Sequence, residues 1–97
     1  MVAEPIGEPP RSAIQRPTLI LNRSWIPVHV THAGRAVAML FRGTARAVAT
    51  DTLATHDFWE WIELPLEPEA PAIRAPGLQI RPPEVIVLAR YNKLPAH

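Results

Sequence analysis

Apolar and polar positions along the chain predict a few short strands gathered around one helix. Thr18 to Leu21 is a short apolar run with β-branched character, the first predicted strand. Asn22-Arg23-Ser24 supplies turn chemistry. Pro27 disfavours helix at Ile26, and Val28-His29-Val30 reads as a second strand with His29 facing away from both valines. The period then changes. Ala33, Ala36, Val37, Leu40 and Phe41 fall at i, i+3, i+4, i+7 and i+8, one continuous helical face. Thr31 is placed to cap the N-terminus, Gly43 to end the helix, and Arg42 to complement the dipole in its last turn. The helix is predicted over 32–42. Leu40 and Phe41 are expected to point inward, with Trp25 and Val87 as neighbours. Arg35 and Arg42, seven apart, share the outer face.

Beyond the helix the alternation returns. Ala45, Ala47 and Ala49 are predicted on one face of a strand, Arg46 and Val48 on the other. Asp51 to Thr55 reads as a loop or a short turn of helix, and the aromatic-rich stretch from His56 to Leu64 as extended. Residues 65–83 hold Pro65, Pro68, Pro71, Pro76, Pro82 and Pro83, which allow an edge strand or an ordered loop. Glu84 to Leu88 contains the most apolar strand, a continuous run that predicts burial on both faces. The expected fold is α+β: a small single domain with four or five short strands around the amphipathic helix. Residues 1–17, with four prolines and few apolar groups, are expected to be a mobile tail, leaving 18–95 as the domain.

Composition narrows the picture. Ninety-seven residues with 47% apolar content make one modest core. Without cysteine there is no disulfide framework and no thiolate metal site. No apolar run is long enough to span a bilayer and no leader pattern opens the chain, so a cytoplasmic setting without a membrane partner is expected. The net charge is only +1, but the charges come in blocks. Residues 18–48 carry Arg23, Arg35, Arg42 and Arg46 and no acid. Residues 49–72 carry Asp51, Asp57, Glu60, Glu63, Glu67 and Glu69 and no base. Residues 73–97 carry Arg74, Arg81, Arg90 and Lys93 against Glu84 alone. Blocks of this kind suggest separate faces.

The chain offers little for catalysis. His29 and His32 are three apart, but one lies in a strand and the other at a helix start, and His56 and His97 are distant. A metal site wants three or four convergent ligands, so none is expected. Ser12 and Ser24 sit in no nucleophile frame. Glu60 and Glu63 have no recognisable partner. Gly7, Gly34, Gly43 and Gly77 form no phosphate-cradling loop. Trp25, Trp59 and Trp61 can stack on bases, but a domain this small needs large apolar anchors, which favours the core.

Several segments resemble, in order and spacing, a bacterial family of HNH endonucleases. Leu21-Asn22, Trp25, Pro27-Val28 and Val30-Thr31 match its opening "LNxxWxPVxVT" stretch. Arg35-Ala36, Leu40, Arg42-Gly43 and Ala45 to Val48 match the helix-and-strand that follows. His56-Asp57-Phe58 and Trp61 are similar to its "HDFxxW" segment, and Ile73-Arg74, Pro76, Arg81, Pro83 to Leu88, Arg90-Tyr91 and Leu94-Pro95 to its end. The resemblance covers about residues 18–95. In that family the following segment carries zinc knuckles and the HNH motif, whose histidine activates water beside a divalent metal. None of those residues is present, so no catalytic or metal residue carries over and no cofactor is expected in this chain. The resemblance implies a non-catalytic N-terminal domain, as a fragment or truncated product, that contacts DNA or scaffolds the nuclease module. Arg23, Arg35, Arg42, Arg46, Arg81 and Arg90 would be the phosphate contacts. The alternative is a protein-interaction module working through the aromatic and acidic middle segment.

Overall fold

The computed structural model describes residues 12–89. Their core is a five-stranded mixed sheet: β1 (Pro17–Leu21), β2 (Pro27–His32), β3 (Ala45–Val48), β4 (Thr55–His56) and β7 (Val85–Leu88), in the order β2-β1-β7-β3-β4. β7 lies between β1 and β3, parallel to β1 with Leu19 opposite Val85, and antiparallel to β3 with Ala47 opposite Ile86. A separate hairpin joins β5 (Ile73–Ala75) to β6 (Leu78–Ile80) through Gly77 at φ 71°. The fold is α+β, as the pattern predicts.

Helix α1 (Ala33–Arg42) covers one face of the sheet. His32 caps it rather than Thr31: its Nδ1 accepts the Arg35 N–H at 3.2 Å, and Thr31 is drawn into β2. Gly43 ends it at φ 81°, a left-handed geometry that glycine adopts without steric cost. Ala33, Ala36 and Leu40 are buried, together with Ile20, Ala45, Ala47, Ala49 and Ile86 from the strands. The small alanines of β3 let the helix approach closely while keeping the layer dense. Phe41 departs from the expectation. It lies at the edge of the apolar stripe, against Phe58 and Trp59, and is 61% exposed. Its partner is not Trp25, which is 43% exposed in the β1–β2 turn.

The second helix corrects the extended reading of His56 to Leu64. α2 (Phe58–Trp61) forms because Asp57 and Glu60 build a capping box: Asp57 Oδ1 accepts the Glu60 N–H at 2.8 Å and Glu60 Oε1 accepts the Asp57 N–H at 3.2 Å. Two orphan donors are thereby satisfied, enough to start a helix of four residues. It buries Phe58 and Trp61. Trp61 Nε1 donates to the Arg81 carbonyl at 2.8 Å, tying α2 to the segment after the hairpin.

Regular structure also begins earlier than the expected tail end. Ala13–Gln15 form a 3-10 turn and Pro17 opens β1. The turn rests on α1 at Gly34, where an added Cβ would stand 2.5 Å from Ile14 Cγ1, and the Arg16 carbonyl accepts the Ala33 N–H at 2.8 Å. The rest of the expected tail lies outside the described residues. On the opposite face of the sheet Leu21, Val48 and Val87 form a second, smaller cluster flanked by Leu19 and Val85. Thr18 is fully buried and donates through Oγ1 to the Pro83 carbonyl at 2.6 Å.

Candidate nucleic-acid interface

Of the six arginines singled out from sequence, the five that lie among the described residues do not play one part. Arg81 is partly exposed but engaged with the protein. Its guanidinium donates to the Pro65 carbonyl at 2.7 Å and lies 5.6 Å from the centroid of the Trp61 ring. It thus ties the proline-dense segment to α2, a structural duty for one nitrogen and the face of its guanidinium. Arg46 is half-buried. Its Nε donates to Thr55 Oγ1 at 3.2 Å across the β3–β4 ladder, and its terminal nitrogen lies 3.7 Å from Glu60 Oε1. Glu60 also stands 3.6 Å from His56 Nδ1. The acidic middle of the chain therefore folds back onto one arginine of the basic block. Arg90 lies outside the described residues.

Arg23, Arg35 and Arg42 are exposed, and among the described residues none of them has an ion-pair partner. The register brings the segments that carry two of them, Arg23 and Arg42, to the same end of the sheet. β1 and β7 run parallel, so Asn22-Arg23 leaves β1 where Leu88-Ala89 leaves β7. β3 begins opposite Leu88, which brings in Thr44 and, just before it, the last turn of α1 with Arg42. The Thr44 carbonyl accepts the Ala89 N–H at 3.0 Å, closing this end. Asn22, Arg23, Thr44, Leu88 and Ala89 line one groove there. Arg35 is seven residues up the same stripe of α1, about 10 Å away at 1.5 Å per residue.

A built turn carries Arg23. Asn22 Oδ1 accepts the N–H groups of Ser24 at 2.8 Å and Ile26 at 3.1 Å. The Asn22 N–H donates to the Ile26 carbonyl and the Trp25 N–H to the Asn22 carbonyl, both at 2.8 Å. This network holds Trp25 at φ 64°, in the left-handed region that bulky side chains rarely adopt. Arg23, Ser24, Trp25, Arg46, Thr55, Val87 and Leu88 line an open cleft of about 490 Å³ on the sheet face away from α1. Sequence reasoning assigned Trp25 to the core, and no periodic signal distinguishes a tryptophan perched on a turn from one beneath it.

Two further surfaces carry exposed aromatic or charged groups. Phe41 and Trp59 are each 61% exposed, and both lean on Phe58 with ring centroids 5.1 and 4.9 Å away in edge-to-face geometry. Arg16 and Arg81 share a cleft of about 380 Å³ with Asp51, Glu67 and Glu84, where the signs of charge are mixed. Among the described residues no three histidines or carboxylates gather as metal ligands, and no helix is long and apolar enough to cross a membrane.

A family model described as "HNH endonuclease-associated, N-terminal domain" matches residues 18–96. No curated protein and no solved structure matches.

Proposed function

Since this chain belongs to the family of HNH endonuclease-associated N-terminal domains, we propose that it is a non-catalytic accessory domain that grips the nucleic-acid backbone. Arg23, Arg35 and Arg42 are its phosphate contacts. The observation that carries this reading is the division among the arginines. Arg46 and Arg81 are engaged with protein groups, while these three point into solvent without a carboxylate partner among the described residues. Guanidinium groups placed in this way position a phosphate backbone and do not read its sequence. Catalysis is left to the endonuclease with which the domain associates.

The test is fluorescence anisotropy with labelled duplex DNA over a range of salt concentrations. Binding should be weak, independent of sequence and steeply salt-dependent. Replacing Arg23, Arg35 and Arg42 together by alanine should flatten the salt slope by up to about 2.7, since each phosphate contact contributes about 0.9. Absence of binding at low salt, or an unchanged slope in the triple variant, would reject the proposal. A second reading, docking onto another protein, draws on the exposed Phe41–Trp59 pair, because aromatic anchors of this type dominate protein interfaces. It predicts that Trp59→Ala abolishes association with the endonuclease while the arginine variant leaves it intact.

A further inference from the structure

The cleft beside Trp25 has the chemistry of a nucleotide seat. Its wall is an indole that is 43% exposed. Val87 and Leu88 of β7 contribute apolar lining, and Arg23 and Arg46 line it as well. Among the described residues no carboxylate lines it. Arg46 is held from one side. Its Nε donates to Thr55 Oγ1 at 3.2 Å, and one terminal nitrogen donates to the Thr55 carbonyl at 3.4 Å and lies 3.7 Å from the half-exposed Glu60. A phosphate would take its other terminal nitrogen, which has no partner among the described residues. A ligand that suits these walls presents a flat π-face to the indole and a negative charge beside it. In a duplex the π-faces are stacked away, whereas an unpaired base offers one.

The turn beneath Trp25 strengthens the case. Four hydrogen bonds centred on Asn22 hold the loop in one shape, with the tryptophan in a strained left-handed conformation. Strain of this kind persists only where the surroundings over-determine it, and it concentrates at binding sites. Here its effect is to hold Trp25 in the cleft that Val87 and Leu88 of β7 also line. There it shares a cleft with Arg46, which a relaxed hairpin turn does not require.

We propose that this cleft binds an unpaired nucleotide, its base stacked on Trp25 and its phosphate held by Arg23 and Arg46, so that the domain prefers single-stranded or locally opened nucleic acid. The inference rests on the backbone-contact reading above and adds the substrate class to it.

The experiment uses the full chain and three labelled ligands with equal numbers of phosphates: a short oligothymidylate, an abasic strand of the same length, and a duplex. The base-bearing strand should bind at least about fivefold more tightly than the abasic strand, the lower limit for one base stacked on an aromatic ring. Trp25→Ala should bring the two strands to parity and leave duplex affinity unchanged. Trp25→Phe should keep most of the preference. Circular dichroism melts check that the variants fold. If Trp25→Ala does not, the parent's tryptophan emission decides: quenching by oligothymidylate but not by the abasic strand, diminished in Trp25→Phe, supports the seat. Equal affinity of the parent for both strands overturns the cleft assignment while leaving backbone contact standing. Binding of oligothymidylate without duplex binding does the reverse. No binding of any strand overturns both.

Discussion

Leu40 and Phe41 are neighbours in sequence and close in hydrophobicity, yet the fold gives them opposite environments. Leu40 is 2% exposed between α1 and the sheet, whereas Phe41 is 61% exposed. Leu40→Ala removes fully buried methyl groups from a layer already floored by Ala36, Ala45 and Ala47, none of which can expand to fill the space. The expected loss is about 2–5 kcal/mol. For Phe41 only about two fifths of the side chain is covered. Full burial of a phenylalanine is worth roughly 1.5–3 kcal/mol, so about 0.6–1.2 kcal/mol is at stake here. Its edge-to-face contact with Phe58 at 5.1 Å adds about 0.5–1 kcal/mol, the lower part of the range for an aromatic pair because the Phe41 ring is mostly in water. Phe41→Ala is therefore expected to cost about 1–2 kcal/mol, less than Leu40→Ala. Urea unfolding followed by far-ultraviolet circular dichroism, with the slopes held common, measures both. A small domain has only about 3–5 kcal/mol in total, so a Leu40→Ala chain that is unfolded without urea also fits. A Phe41→Ala cost equal to or above that of Leu40→Ala would refute the assigned orientation of α1.

Two other outcomes follow from the same structure. Thr18→Val keeps the shape of a fully buried side chain but leaves the Pro83 carbonyl without its donor, so it should lose about 1–3 kcal/mol; a chain as stable as the parent in chemical denaturation would sink this. Arg81→Ala should lower stability by about 1–2 kcal/mol through loss of its bond to Pro65 and its place over Trp61, while the salt slope of DNA binding stays where it was; a flattened slope would return Arg81 to the interface.

The parts of the fold that were legible in the sequence are those where a side chain's environment follows from its own period. Ala33, Ala36 and Leu40 mark one face of α1 and Gly43 marks its end, so the helix could be read almost to the residue. The alternation of β3 and the unbroken apolar run of β7 were equally plain. α2 was missed although its signal was present. Asp57 and Glu60 have capping-box spacing, but four residues give no period, and the aromatics around them read as strand. Phe41 and Trp25 were misjudged because hydrophobicity says that a residue favours burial, not whether the fold has room for it. The arginines were the hardest. Charge density is a property of the chain, but whether a guanidinium is free depends on acceptors such as the Pro65 carbonyl, sixteen residues from Arg81. Only the assembled structure separates Arg23, Arg35 and Arg42 from the two that are bound within the protein.

The position of β7 also decides when this domain can fold. It forms the centre of the sheet, yet it is the last of the seven described strands in sequence, and the chain between it and β1 must close a loop from Leu19 to Val85. Without it the sheet divides into a β1–β2 hairpin and a β3–β4 pair that share no ladder. Such pieces are at best marginal alone in water. During synthesis α1 and both hairpins can flicker as they leave the ribosome, but the layer beneath α1 cannot be completed until Val85 to Leu88 have emerged. Completing the sheet then rests on pairings distant in sequence, the kind whose loop-closure entropy slows folding.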